Sequence, residues 1–249
     1  MSIEYAAASG VARITLNRLD KRNAITSEMM SALRDALKRA ADDPTVRVLL
    51  IRGAGKDFCA GLDLSEVLKS AENADASLAS ARRLGDLYIA MRRHPKPIIA
   101  AVHGRALGGG AGIATASDLI IAAESAQFGY PEVKLGFIPA IVTTMLRRAV
   151  NERQAMELAL TGDPVSASRA HAIGLINRVY PDAEFDTEIE RYVAALAGQS
   201  ATAMSLSKRL LYETDGMSFE ASIEAGVQAN VQARTTDDFK RGVERFLKK

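Results

Sequence analysis

The sequence predicts an α/β fold followed by a helical C-terminal region. Short apolar strands alternate with helices up to about residue 139, and glycine-rich turns join strand to helix twice. Alternation of this kind is typical of α/β architecture. From residue 140 onwards, helical apolar spacing dominates the pattern. We therefore expect a sheet-bearing body over residues 1–190 and a helical region over residues 191–249.

In the first part of the chain, apolar periodicity and turn residues delimit the elements. Strands are predicted at residues 3–8, 11–17, 46–52, 97–103 and 119–123. Helices are predicted from Thr26 or Ser27 to about residue 41, over 64–70 and 76–93, and from the glycine run to about residue 117. Residues 70–79 are rich in Ala, Ser and Asn, so we expect a mobile surface loop or a frayed helix there.

The second part of the chain is predicted to be almost entirely helical. Helical spacing of apolar residues occurs over 140–149, 152–160, 166–171, 184–197, 201–213, 218–234 and 236–247. The segment 175–180 is the one strand expected in this part.

Composition limits the classes of function. The 249 residues are 48% hydrophobic and 25% charged, as in an ordinary soluble domain, and the net charge of +2 does not favour nucleic-acid or membrane partners. No apolar stretch reaches the roughly 20 residues that span a bilayer. The N-terminal residues do not resemble a signal peptide. The single cysteine, Cys59, excludes an intrachain disulfide, and we expect a cytoplasmic protein.

Two glycine-rich turns between strand and helix, at residues 58–64 and 106–112, are the first candidates for a site. Each would place unpaired N–H groups at a helix start, where the helix dipole also attracts a negative oxygen. The alternative is that the glycines only permit tight turns or close packing. Neither turn has the spacing of a dinucleotide or P-loop motif.

Other catalytic signatures are missing from the sequence. The three histidines are not at metal-ligand spacing and form no cluster with the cysteine, so no metal site is predicted. No G-x-S-x-G motif is present, which argues against a serine hydrolase.

Several segments, in order along the chain, resemble the crotonase, or enoyl-CoA hydratase/isomerase, family. They are NRLDKRNA (17–24), GAGKDFCAGLDL (53–64), the stretch from 96 to 139, LALTGDPVSASRAHAIGLINRV (158–179) and FKRGVERFLKK (239–249). The resemblance implies a spiral of strand-strand-helix units and a C-terminal helical region that mediates oligomerisation. It also implies a homotrimer or a dimer of trimers.

The resemblance also implies the binding of an acyl-CoA thioester, with coenzyme A as part of the substrate and no separate cofactor. The backbone N–H groups of Leu62 and Gly109 would form the oxyanion hole. Fixed N–H donors suit this role because negative charge develops on the thioester oxygen. Residues that would contact coenzyme A are Lys21, Arg22, Ala24 and Ala60, together with Phe246 and Lys249 reaching a neighbour's site. An apolar acyl pocket would involve Leu62, Tyr130, Ile138, Ile141, Val142 and Met145.

The expected reaction depends on the carboxylates. Hydratases of the family commonly carry two glutamates, and here the first position is Gly112 whereas the second is Glu132. One acid suffices to move a proton between two carbons, so we place isomerisation of 3-enoyl-CoA to 2-enoyl-CoA ahead of hydration. Asp63 or Glu66 could supply a second acid. Hydrolysis, decarboxylation or C–C bond formation on the same scaffold, and a non-catalytic CoA- or RNA-binding module, remain alternatives.

Overall fold

The computed structural model describes residues 2–248 and contains two β-sheets. The larger sheet has the strand order β1 (Ile3–Ala8), β2 (Val11–Leu16), β3 (Val48–Gly53), β4 (Ile98–Val102), β6 (Leu119–Ala123) and β9 (Arg178–Tyr180). The smaller sheet consists of β5 (Arg105–Leu107), β7 (Gln127–Gly129) and β8 (Val165–Ser166).

The strands of the larger sheet pair in two ways. Strands β1 and β2 form an antiparallel hairpin that turns at Ser9 and Gly10, both with positive φ. All other pairs in this sheet are parallel. Strand β4 is buried along its whole length, as expected for a central strand covered on both faces.

Eleven α-helices lie within residues 2–248. They are α1 (Ser27–Asp42), α2 (Leu64–Ser70), α3 (Ala74–Arg93), α4 (Gly109–Ala116), α5 (Ala140–Ala149), α6 (Glu152–Thr161), α7 (Ala167–Ala172), α8 (Phe185–Ala197), α9 (Ala201–Glu213), α10 (Phe219–Arg234) and α11 (Asp237–Leu247). Helix α1 begins as predicted, because the Thr26 side chain accepts a hydrogen bond from the Met29 N–H. None of these helices is long and apolar enough to cross a membrane.

Along the chain, a strand of the larger sheet is repeatedly followed by a strand of the smaller sheet, which forms a second layer, and then by a helix. The sequences β4–β5–α4 and β6–β7–α5 show this pattern directly. Two isolated parallel bridges, between Ile25 and Leu62 and between Cys59 and Ala106, extend the second layer towards the N-terminus. This repetition is the predicted spiral of strand-strand-helix units, and the predicted fold class is confirmed.

Three short strands were not predicted, and helix α3 begins earlier than predicted. Strands β5, β7 and β8 were missed because they are only two or three residues long, too short for a visible alternation. For residues 70–79 we expected a loop or a frayed helix, and residues 74–79 are helical. The Asn73 side chain accepts hydrogen bonds from the N–H groups of Asp75 and Ala76 and so starts α3 before the predicted residue 76.

The last four helices differ in how they attach to the body. Helix α8 contacts β2, β3 and β6 and buries Phe185, Ile189 and Val193. Helix α9 is held by the buried Lys208, whose Nζ lies 2.8 Å from Asp118. Helices α10 and α11 bury no residue among those described. A division at residue 190 falls within α8, and the two-part organisation stays a prediction.

The buried side chain of Asn23 fixes the loop that leads from β3 to the second layer. Its Nδ2 donates hydrogen bonds to the backbone oxygens of Ala54, Asp57 and Phe58, at 2.9, 2.8 and 3.2 Å. Its Oδ1 accepts from the Arg18 N–H at 2.9 Å. One side chain thus ties the segment after β2 to the loop after β3.

We expect Asn23→Ala to lower the free energy of unfolding by about 2–4 kcal/mol, because two buried carbonyl groups and one half-buried carbonyl group lose a donor. Urea denaturation followed by circular dichroism measures the change. Asn17→Ala is the matched control, since its amide bonds only to the exposed Glu4, and it should cost less than about 0.5 kcal/mol. Equal losses in the two variants would contradict the assigned role of Asn23.

Candidate active site

A largely apolar cavity of about 280 Å³ lies where α2, α3 and α5 meet the N-terminus of α4. Apolar lining residues include Leu62, Val67, Leu84, Ile138, Ile141 and Val142. Polar groups are few: Tyr88, Glu132 and three serines of α2 and α3. An apolar pocket with a few polar groups is the usual form of a small-molecule site.

Two backbone N–H groups at this cavity have no partner. Neither the N–H of Leu62 nor that of Gly109 donates a hydrogen bond to any of residues 2–248. Leu62 follows Gly61, which has φ of 113°, and Gly109 follows Gly108, which has φ of 49°. These positive values favour glycine and turn the next N–H away from the regular pairing of the second layer.

The N-terminus of α4 and residues 59–62 approach each other closely. A Cβ placed on Gly109 would lie 2.9 Å from Leu62 Cδ2 and 3.4 Å from the Leu62 nitrogen. A Cβ on Gly110 would lie 2.4 Å from the backbone oxygen of Cys59. Glycine at these positions is therefore what lets the two unpaired N–H groups face one cavity, and the positive end of the α4 dipole adds to their field.

Glu132 lies beside these donors, on a short 3₁₀ turn at Pro131–Leu135. A Cβ on Gly108 would be 3.3 Å from Glu132 Oε1. Glu132 Oε2 is buried and has no hydrogen-bond partner in the described part of the chain. Burial raises the pKa of this carboxyl above its ordinary value, although a hydrogen bond from its own backbone N–H partly offsets the shift.

The Glu132 turn is anchored from behind by a buried tyrosine. Tyr130 Oη and Thr115 Oγ1 are 2.7 Å apart, which ties the residue before Pro131 to α4. Tyr130 is fully buried and does not line the cavity, nor does Met145. The expectation that these two residues form part of the acyl pocket was therefore wrong, whereas the other four apolar residues proposed for the pocket do line it.

Neither candidate for a second acid reaches the cavity. Asp63 caps α2 and pairs with Arg18, and its hydrogen bonds with Ser65 and Arg18 lower its pKa to about 2. Glu66 is exposed and accepts a hydrogen bond from the Ser27 N–H. Among residues 2–248, Glu132 is the only carboxylic acid that lines the cavity.

Gly112 faces a residue that sequence reasoning missed. A Cβ on Gly112 would lie 2.0 Å from Tyr88 Oη, so the phenol already fills the space in front of this glycine. Tyr88 is buried, lines the cavity, and follows Leu84 at helical spacing on α3. That spacing indicates a core position, and nothing in the sequence alone connects Tyr88 with Gly112.

The residues proposed to contact coenzyme A fall into two groups. Lys21 and Arg22 are exposed, and the Arg22 backbone oxygen accepts a hydrogen bond from the Ala60 N–H at 3.0 Å. Ala24 follows two residues later, so this segment runs alongside residues 60–62. Phe246 is 78% exposed on α11 and does not line the cavity of its own chain. Lys249 lies outside the described residues. All these contacts stay predictions.

The described residues give no support for metal binding or for a thiolate nucleophile at this site. Within residues 2–248, no group of three or more His, Cys, Asp or Glu side chains is arranged to hold a metal ion. Cys59 is completely buried, and burial raises its thiol pKa to about 12, which leaves little thiolate at neutral pH.

Comparison with known proteins identifies the family of this chain. The family model for enoyl-CoA hydratase/isomerase matches residues 6–249. A Thermus thermophilus protein named "Putative enoyl-CoA hydratase" is 38% identical over 240 residues, which cover 96% of this chain and 95% of the relative. The 1,2-epoxyphenylacetyl-CoA isomerase of Escherichia coli is 34% identical, with 96% and 93% covered.

Solved structures of enoyl-CoA hydratases have the same fold as this chain. The crystal structure of an enoyl-CoA hydratase from Mycobacterium smegmatis superposes with a TM-score of 0.95 at 30% identity, over 100% of this chain and 96% of that one. The family match spans the glycine-rich turns, the apolar cavity and Glu132. This chain therefore belongs to the enoyl-CoA hydratase/isomerase family of enzymes, the crotonases.

Proposed function

We propose that this enzyme isomerises 3-enoyl-CoA to 2-enoyl-CoA, with Glu132 as the group that moves the proton. The observation that supports this most directly concerns residues 2–248: a single carboxylate, with one unpartnered oxygen, lies in an apolar cavity beside two N–H groups that have no partner there. Such a site can stabilise an enolate and exchange one proton with it.

The steps balance without a second acid. Glu132 takes a proton from Cα of the 3-enoyl thioester, and the C–H electron pair moves into a dienolate with negative charge on the thioester oxygen. The N–H groups of Leu62 and Gly109 donate hydrogen bonds to that oxygen. Glu132 then returns the proton at C4, which leaves the double bond between C2 and C3 in conjugation with the thioester.

The electrostatics of Glu132 suit this role. A general base works best when its pKa lies close to the working pH, and burial raises the pKa of Glu132 in that direction. The apolar walls also keep the hydrogen bonds to the enolate oxygen strong, because little water competes for the donors.

Hydration of 2-enoyl-CoA is the second candidate, because several relatives are named enoyl-CoA hydratases. It would require Glu132 to hold and deprotonate a water, and Cα would then have to receive a proton, either from Glu132 or from a second donor. Other enolate reactions on acyl-CoA thioesters use the same two N–H donors, so the fold does not separate them.

The proposal also includes the contacts with coenzyme A and the oligomeric state expected from the sequence. Lys21, Arg22, Ala24 and Ala60 would contact coenzyme A within one chain, and Phe246 and Lys249 would contact it in a neighbouring subunit. That arrangement requires the expected homotrimer or dimer of trimers. No separate cofactor is needed for the proton transfer, and a cytoplasmic location stays a prediction.

Assays of 3-enoyl-CoA and 2-enoyl-CoA side by side test the proposal. We expect isomerisation to exceed hydration, and Glu132→Gln to lower kcat by about 10²–10⁴, since the amide cannot accept the proton. Product analysis by liquid chromatography distinguishes the 2-enoyl product from a 3-hydroxyacyl product. Fast hydration without isomerisation would overturn the proposed reaction, and full activity of Glu132→Gln would remove this residue from the mechanism.

The oxyanion hole is tested by Gly109→Ala. The added methyl group would press on Leu62 and disturb both donors, so we expect kcat to fall by about 10²–10³ while the fold is retained. Gly226→Ala is the matched control, because a Cβ there meets no atom within 4 Å. Steady-state kinetics measure the effect, and unchanged kcat in Gly109→Ala would exclude the proposed hole.

The raised pKa of Glu132 predicts a dependence of stability on pH. Between the pKa of Glu132 in the unfolded chain and its higher pKa in the folded protein, the folded protein binds more protons than the unfolded chain. The free energy of unfolding therefore falls as the pH rises through this range. We therefore expect Glu132→Gln to be more stable than the original protein at pH 7.

Urea denaturation at pH 7 and pH 4 measures this difference. The advantage of Glu132→Gln should shrink at pH 4, where Glu132 is itself mostly protonated in both states. Glu72→Gln, at an exposed position, is the control and should show no such change. If Glu132→Gln were more stable than the original protein by the same amount at pH 7 and at pH 4, the charge of Glu132 would not be the cause of the difference in stability.

A further inference from the structure

Tyr88 is a polar group of the cavity to which the proposed proton transfer assigns no task. It lies on α3, and its Oη donates a hydrogen bond of 3.1 Å to the backbone oxygen of Gly109. Gly109 is both the first residue of α4 and one of the two proposed oxyanion donors. The phenol therefore bonds directly to the residue whose N–H must be aimed at the thioester oxygen.

The same phenol covers the surface of α4 at Gly112. A Cβ on Gly112 would lie 2.0 Å from Tyr88 Oη and 2.7 Å from Cζ, well below any real contact distance. Tyr88 lines the cavity, whereas Gly112 does not. The ring thus stands between the cavity and Gly112 and occupies the room that a second polar group or a water would need.

The electrostatic setting keeps this phenol neutral. Complete burial raises the pKa of Tyr88 well above its ordinary value, and the negative charge of the nearby Glu132 adds to the shift. A phenol that stays protonated serves as a hydrogen-bond donor and not as a base. Tyr88 therefore leaves Glu132 as the proton acceptor of the cavity.

We propose that Tyr88 is a positioning and specificity-determining residue: its hydroxyl fixes the first turn of α4, and its ring excludes the water that hydration would require. The inference rests on the proposed function, because it explains why Glu132 returns its proton to the substrate. If the ring were absent, a water could bond to the Gly109 oxygen that the phenol now occupies, and Glu132, whose Oε2 has no partner among residues 2–248, lines the same cavity.

Tyr88→Phe tests the positioning role, because it removes the hydroxyl and keeps the ring. We expect kcat for isomerisation to fall about tenfold, with KM changed less than twofold. Loss of the hydroxyl would disturb the orientation of the Gly109 N–H, whose hydrogen bond matters most in the transition state. Tyr5→Phe is the matched control, because its buried hydroxyl has no partner and lies on β1. An unchanged kcat in Tyr88→Phe would overturn the positioning role.

Tyr88→Ala tests the exclusion of water. We expect the ratio of 3-hydroxyacyl to isomerised product to rise at least tenfold over that of the original protein. Tyr88→Phe should leave this ratio unchanged, because its ring still fills the space. A ratio that stays constant in Tyr88→Ala, in protein that melts cooperatively, would overturn the specificity role.

A double-mutant cycle tests the packing itself by a readout that needs no substrate. Gly112→Ala should lower the melting temperature strongly in the original protein and much less in the Tyr88→Ala background. Additive shifts would show that the phenol does not cover Gly112 and would overturn the inference. If the original protein does not isomerise 3-enoyl-CoA, the proposed function fails. If it does, but the Tyr88 variants behave as their controls, the inference about Tyr88 alone fails.

Discussion

The close approach of two backbones, residues 59–62 and the first turn of α4, is the constraint on which the site depends. The approach is possible because Gly109 and Gly110 present no side chain to Leu62 and Cys59. It leaves two N–H groups at one end of an apolar cavity with no partner in the described part of the chain. Unpaired buried donors cost stability, so they persist only where the surrounding structure holds them firmly.

The surrounding structure supplies that support from several sides. Asn23 holds the loop before residue 59 through three backbone oxygens. Asp57 accepts hydrogen bonds from the Arg105 side chain at 2.9 and 3.0 Å and so links this loop to β5. Tyr88 holds the first turn of α4 from the opposite side. These hydrogen bonds tie down the backbone on both sides of the place where the negative charge would develop, and donors held in place favour an enolate.

Much of this could be predicted from the sequence, because the signals are local. Helical spacing predicted the bounds of α1, α5 and α9 to within a residue, and at α1 the predicted cap is present, because periodicity and a capping side chain act over one or two turns. The glycine-rich turns and the acid at Glu132 were also visible as motifs. The short strands β5, β7 and β8 were not, because their pairing comes from partners distant in the chain.

By itself, the sequence determined the fold class, the family and the residues that could carry charge in the site. Only the tertiary structure decided which of them meet. It separated Asp63 and Glu66 from the cavity and gave each another hydrogen-bond partner, and of the acids within residues 2–248 it left only Glu132 there. It also placed Tyr88 against Gly112, 24 positions away in the chain. The physical reason is that a contact between two helices depends on their packing, which no local pattern in either helix encodes.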